Sequence, residues 1–351
     1  MQIGLMDTWD RPMRARGLAA WALSALLLAF YVDVYFFSHL DVPARALGLD
    51  SKWTLYGALY TLAIVGGAAR FLRTHGTTPY QARRTWSLVA VQVVLAFALP
   101  NVMKALGQPE VYLSYFWPLK LEYLFPDTLA ALPSWAATWV VLGGLVAAPV
   151  AAVRFGKRWY CGWICGCGGL AETFGDPWRH LSDRSTRAWR IERVVQLTVL
   201  GLALATTALV LFAATPQGAP LAGAAGTVRS AYGFGVGAVF SGVLGVGLYP
   251  LMGTRVWCRF GCPMAALLGF AQRAGNFRVR VKRDMCIACG NCSAYCEMGI
   301  DVRAYAMRNE DVRRDACVGC GFCAHVCPRG VLRLEARPAA EGEKLEWHLD
   351  L

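Results

Sequence analysis

Five stretches of the chain, Trp53–Ala69, Trp86–Met103, Trp135–Val153, Val194–Ala214 and Ala231–Met252, contain no Asp, Glu, Lys or Arg, and a sixth, Gly17–Phe37, contains only Asp33. A helix needs roughly 17–25 apolar residues to cross about 30 Å of hydrocarbon. A soluble bundle has a water-facing side on every helix and cannot accommodate six such segments. The expectation is a polytopic α-helical membrane protein of about six spans. Of 351 residues, 56% are hydrophobic and only 17% charged, which agrees. Arg11, Arg14 and Arg16 precede the first stretch, as in a signal peptide, but it is long and no small-residue cleavage site follows Phe36 and Phe37, so it is expected to be retained.

The excess of 35 Lys+Arg over 23 Asp+Glu, a net charge of +12, suits either nucleic acid or membrane topology, and its distribution selects the second. With six spans, the N-terminal segment 1–16, the loops after spans two and four and everything beyond span six share one side. That side holds Arg70, Arg73, Arg83, Arg84, Arg154, Lys157, Arg158, Arg179, Arg184, Arg187, Arg190 and Arg193, whereas the opposite loops hold Arg45, Lys52, Lys104, Lys120 and Arg229. The rich side is expected to be cytoplasmic, at a bacterial inner (plasma) membrane with lipid as the surrounding partner and no nucleic acid. On the far side the connection Lys104–Ser134 concentrates Tyr112, Tyr115, Phe116, Trp117, Tyr123 and Phe125. An interfacial helix in an aromatic belt is the expectation, with a quinone pocket or a docking surface as alternatives. Gly233, Gly235, Gly237, Gly242, Gly245 and Gly247 suggest close packing of span six.

Beyond the spans, region 277–336 carries Cys286, Cys289, Cys292 and Cys296, then Cys317, Cys320, Cys323 and Cys327, each run spaced C-x2-C-x2-C-x3-C and the second ending in Pro328. Three close thiolates wrap one cubane while the fourth reaches the other cluster. The reading is one [4Fe–4S] cluster on Cys286, Cys289, Cys292 and Cys327, and another on Cys317, Cys320, Cys323 and Cys296. Zinc fits poorly, because a third thiol follows each pair too soon for one tetrahedral ion. Phe277–Lys282 and Val331–Glu335 read as the paired terminal strands of a bacterial two-cluster ferredoxin-like α+β domain. Glu297 stands where proline would follow Cys296, and its charge is expected to lower that cluster's potential. The polar tail 337–351 is expected to be mobile.

Within the membrane region 17–276, Arg158-Trp-Tyr-Cys161-Gly-Trp-Ile-Cys165 and Arg255-Val-Trp-Cys258-Arg-Phe-Gly-Cys262 repeat one pattern at an offset of 97 residues. Two spans separate them, so the repeat is parallel and both C-x3-C pairs are expected at the same boundary of the bilayer. Pro263 suggests that Cys262 heads a helix, whose dipole together with Arg259 lowers its thiol pKa. A further metal centre, a transient copper site, a dithiol relay and plain apolar burial all remain open for Cys161, Cys165, Cys258 and Cys262, with Cys167 a fifth thiol lacking a counterpart.

Six spans, two C-x3-C motifs and a two-cluster ferredoxin domain resemble the membrane polyferredoxin-like 4Fe-4S family, which includes the quinol-dehydrogenase component of periplasmic nitrate reductase, the membrane regulator of nitrous oxide reductase and the copper-reducing accessory protein of cytochrome oxidase assembly. The resemblance covers about residues 135–335. The family's C-x3-C-P form fits Cys258–Pro263, whereas Gly166 follows Cys165. It implies an oxidoreductase component that passes electrons between the quinone pool and a partner redox protein. Copper reduction during cofactor assembly, with the four boundary thiols as soft ligands, and a redox sensor are the alternatives. No b-type haem is expected: His75, His180, His325 and His348 lie in aqueous segments, and His39 sits just beyond the first span. Asp33 is the one carboxylate within a span and a candidate acceptor of quinol protons.

Overall fold

The computed structural model describes residues 16–76 and 78–335. The expectations for residues 1–15 and for the tail 337–351 lie outside the described residues. Six long apolar helices form a bundle: α1 (Leu18–Phe36), α2 (Lys52–His75), α3 (Pro79–Ala105), α4 (Ser134–Phe155), α5 (Thr186–Ala213) and α6 (Ala219–Gly247). Leu26, Trp86, Val94, Val150 and Leu202 stand exposed on their outer faces, where lipid replaces water because the helices satisfy their own backbone groups. The helix α6 begins 12 residues earlier than the sequence suggested and stops at Gly247 instead of Met252. Arg229 does not end it, since its long side chain reaches Asp127 at 2.6 Å and lies 4.7 Å from the Phe125 ring centre. Residues Tyr249–Met252 form a separate short helix that ends at Gly253, whose φ of 91° no other residue type adopts readily.

The glycines of α6 divide into two groups. A methyl group on Gly242 or Gly247 would meet the Tyr35 ring or Leu28 of α1 at 2.3 and 2.5 Å, whereas Gly233, Gly235 and Gly237 have nothing within 4 Å. Close packing therefore holds only for the half of α6 nearer the cysteines.

Two segments bend back into the bundle. Residues 160–175, after α4, run alongside α2 and α3, and Gly67 is the reason they fit: a Cβ there would lie 2.5 Å from the backbone nitrogen of Phe174. Gln92 Nε2, about 20 Å along α3 from Pro79, donates to the Ile164 carbonyl at 2.6 Å. In the second repeat, Gln196 Nε2 of α5 donates to the Cys258 carbonyl at 3.1 Å. These amides supply partners that irregular backbone lacks in an apolar bundle. The segments that carry the C-x3-C pairs are thereby held against α3 and α5.

The aromatic connection Lys104–Ser134 also departs from the expected interfacial helix. Its regular structure is a 3-10 turn at Leu121–Leu124 and a short helix at Pro126–Ala131, and Phe116, Trp117, Tyr123 and Phe125 are buried. Phe116 fills the space left by Gly143 of α4, Trp117 Nε1 donates to Thr207 Oγ1 at 3.0 Å, and the Ser114 carbonyl accepts from the Tyr160 hydroxyl at 2.9 Å. The connection thus plugs the bundle from the far end. Beyond α6, helix α7 (Pro263–Arg273) leads into strand β1 (Arg278–Val281), which pairs antiparallel with β2 (Leu332–Glu335) as expected, Val279 opposite Leu334.

Because the 160–175 segment rests on bare Gly67, Gly67→Ala should destabilise the protein by ~1–3 kcal/mol through overpacking against backbone. Gly66→Ala, which meets nothing within 4 Å, should be neutral. Thermal melting of both variants in detergent checks this, and equal melting temperatures would contradict the packing described.

Candidate functional site

Each cysteine run of the ferredoxin domain wraps because one residue between its first two cysteines turns left-handed: Ala288 at φ 56° in the first, Gly319 at φ 60° in the second. Gly290 and Gly321, at φ 83° and 77°, then start the short helices Asn291–Ala294 and Phe322–His325. The result is two cavities. Cys286, Cys289, Cys292 and Cys327 line the first, and Cys296, Cys317, Cys320 and Cys323 line the second. Each run thus sends its fourth thiol to the other cavity. The Ile300 and Val331 N–H groups point at Cys296 Sγ and Cys327 Sγ, at 3.4 and 3.3 Å, the kind of donor that tunes a cluster sulfur. Among the described residues no three His, Cys, Asp or Glu side chains converge closely enough for a single ion, whereas four thiols around a void suit a cubane. Burial pushes the Cys292 thiol up to about 12 and Cys317 up to about 11, so deprotonation there needs a compensating cation.

The cavities differ in surroundings. The second faces the bundle: the Tyr80 hydroxyl donates to the Gly319 carbonyl at 2.8 Å, Gln81 Nε2 to the Cys320 carbonyl at 3.0 Å, and the Arg179 guanidinium stacks 3.9 Å from the Phe322 ring centre. The first opens outward at Cys289, which is exposed.

Between the second cavity and the bundle lies a buried ionic cluster. Glu172 pairs with Arg84, with Arg179 at 3.3 Å and with Arg255 at 3.4 Å, while Glu297 pairs with Arg255 at 2.7 Å and Arg179 at 3.3 Å. Asp176, 3.1 Å from Arg179, completes three carboxylates against three guanidiniums. Burial alone would raise the Glu297 pKa, but Arg255 and Arg179 hold it down at about 2. Its charge is neutralised by these partners and anchors the ferredoxin domain. Glu297 therefore does not stand as a lone charge beside the adjacent cluster site.

Arg255 also places Nη1 3.9 Å from Cys258 Sγ, on the far side of the ionic cluster. There the two repeats bring Cys161, Cys165, Cys258 and Cys262 together, all buried within one apolar cluster, with half-buried Cys167 packed against it. Cys165 is lowered to about 7, first because the Cys167 thiol hydrogen-bonds to it and then, against its burial, because the Gly168 and Cys167 N–H groups do so as well. Cys161 is pushed up to about 12 by burial. Cys262 does cap α7, accepting from the Ala265 N–H at 3.4 Å, yet burial raises its pKa well above the ordinary thiol value. Arg259 does not assist: it turns to Glu192 at 2.7 Å and to the Asp183 carbonyl. Arg259 thus points to Glu192 and Asp183 and not to Cys262, contrary to the role expected for it.

On the opposite side of these thiols, a Cβ on Gly166 would sit 2.7 Å from Gln92 Oε1, 2.8 Å from the Tyr115 hydroxyl and 3.0 Å from the Tyr60 hydroxyl. From Tyr60 a column of rings, Tyr56 at 6.0 Å and then Trp53 at 6.3 Å, runs to the far end of α2. Asp33 pairs with His39 Nδ1 at 2.5 Å near that end, away from the thiols. Sequence reasoning missed Gln92, Gln196, Tyr60, Glu172 and the pairing of Glu297 with Arg255 and Arg179. The two glutamines carried a signal, as isolated amides in otherwise apolar stretches; Glu172 carried none.

Comparison with known proteins matches the same parts of the chain. Residues 279–334 match the 4Fe-4S dicluster domain, and residues 137–185 and 234–282 each match a 4Fe-4S binding domain, again 97 residues apart. These regions of the chain are similar to those of membrane ferredoxin-type proteins. Similar proteins include the methylamine utilization ferredoxin-type protein MauN of Methylorubrum extorquens, 27% identical over 66% of this chain and 78% of its own length. The putative electron transport protein YccM of Escherichia coli is 24% identical over 54% of this chain and 61% of its own. The regulatory protein NosR of Pseudomonas aeruginosa is 29% identical over 41% and 21%. No solved structure matches.

If Glu297 anchors the ferredoxin domain, Glu297→Gln should cost ~3–5 kcal/mol by leaving Arg255 and Arg179 buried without full compensation. Arg273→Gln, which breaks the half-exposed pair with Asp315, should cost about 0–1 kcal/mol. Hydrogen exchange over residues 278–335 measures both, and equal protection in the two variants would refute the anchoring role.

Proposed function

We propose that this iron–sulfur electron-transfer protein connects three redox centres in a line. Cys286, Cys289, Cys292 and Cys327 would hold one [4Fe–4S] cluster, Cys296, Cys317, Cys320 and Cys323 the second, and Cys161, Cys165, Cys258 and Cys262 a third iron–sulfur centre inside the bundle, with Cys167 beside it. The clusters, when bound, supply one-electron redox chemistry. The observation that carries the reading is Arg255, which touches Glu297, next to Cys296, on one side and the Cys258 thiol on the other. It fixes the second cluster's ligands against the thiols in the bundle and supplies positive charge to both.

The quinone pool is the proposed membrane-side reactant. The Tyr60 and Tyr115 hydroxyls and Gln92 Oε1, which has no hydrogen-bond partner among the described residues, supply donors and an acceptor beside the thiols. The ferredoxin end, which carries Arg154, Arg158, Arg184 and Arg187, is proposed to face the cytoplasm.

Anaerobic iron and copper analysis with EPR tests the third centre. About twelve irons per chain are expected in the native protein, falling to about eight when Cys161, Cys165, Cys258 and Cys262 are all changed to Ser. About eight irons in both proteins would overturn it, and copper in their place would favour copper reduction. Tyr60→Phe with Tyr115→Phe should slow cluster reduction by a soluble quinol analogue, and unchanged rates would count against the quinone assignment.

A further inference from the structure

The first cavity differs from the second in what surrounds it, and the difference points to a partner. Gly319 and Cys320 of the second cavity and the adjacent Phe322 are covered by Arg158, Tyr80, Gln81 and Arg179, so a protein arriving from water meets the second cavity less readily than the first. There Ile287 is 56% exposed, and Cys289, Pro328 and Gly330 are exposed beside it. The charged side chains around this apolar centre are unequal in sign. Arg303 and Arg329 line the cavity and Arg283 stands exposed close by. On the acidic side, Glu310 is taken up by Arg308 at 3.0 Å and Asp301 is turned inward to the Ser293 hydroxyl, which leaves Asp284, bonded only to the neutral Asn309 amide at 2.9 Å, as a carboxylate that keeps its charge against these three arginines.

We infer that this face is the docking site for a small acidic one-electron carrier protein. An exposed apolar centre within a basic rim has the anatomy of a transient protein interface: the centre supplies the fit and the rim supplies steering and partner choice. Anionic lipid is the weaker match, because lipid-binding patches gather 4–8 Lys/Arg and three arginines flank this cavity. The docking role gains its purpose from the cluster assignment proposed above, but the binding itself is a property of the surface.

The test uses the full chain in phosphatidylcholine nanodiscs and oxidised flavodoxin, an acidic flavoprotein, as the probe, with binding titrated at low salt and at about 0.15 M. Binding should weaken on the order of tenfold with the added salt, and Arg283→Glu with Arg329→Glu should weaken it by a similar factor at low salt. Ile287→Ser should weaken binding at both salt concentrations, and cytochrome c, a basic carrier, should bind the doubly reversed variant better than the native chain. Flavodoxin binding unchanged by the double reversal would overturn the inference. So would a reversal that alters only attachment to phosphatidylserine vesicles. Cubane EPR signals are recorded on the same samples: binding without them keeps the docking face and removes the cluster assignment, whereas signals without binding do the opposite.

Discussion

Two carboxylates and three guanidiniums with almost no access to water determine how the two halves of this protein meet. Glu172 belongs to the segment that folds back into the bundle, Arg84 to α3, Arg255 to the turn after α6, and Glu297 to the ferredoxin domain. None of these groups can remain charged and buried alone, because desolvation of each ion is worth several kcal/mol. Their mutual neutralisation therefore exists only when all four elements are in place. Such a cluster contributes little net stability over an apolar core of the same shape. Its contribution is register, since a ferredoxin domain shifted by one residue would leave Arg255 and Arg179 without Glu297.

The bundle solves a second problem in a related way. Irregular backbone within apolar surroundings needs partners, and Gln92 and Gln196 provide them for Ile164 and Cys258. The irregular segments that carry the C-x3-C pairs can therefore pack against the apolar helices. From the other end, the Tyr112–Phe125 connection descends into the space left by Gly143, so that Tyr115 approaches the same thiols. The two repeats and the aromatic plug converge on one point although they enter from opposite ends.

Much of this was legible beforehand, and the boundary of legibility has physical causes. The helices follow from charge-free length, the paired strands from alternating Val and Arg at positions 278–281, and the parallel repeat from arithmetic on Cys161 and Cys258. What could not be read are features that depend on tertiary partners. Arg84, Lys157 and Arg179 look like topogenic charge in the sequence, yet all three are buried, as are Arg255 and Arg259 of the second repeat. Cys262 at a helix start looks activated by Arg259, but nothing local shows that the thiol is buried or that Arg259 turns to Glu192 instead. The aromatic run looks interfacial, because nothing local reveals that Gly143 has left it a place inside.

The contacts of Arg255 tie two distant parts of the chain to one side chain. Cys258 lies behind Arg255, and Arg255 is closed in by Glu297. Docking of the ferredoxin domain and enclosure of the Cys258 thiol are therefore one event, and whatever loosens Glu297 is felt at Cys258 as well.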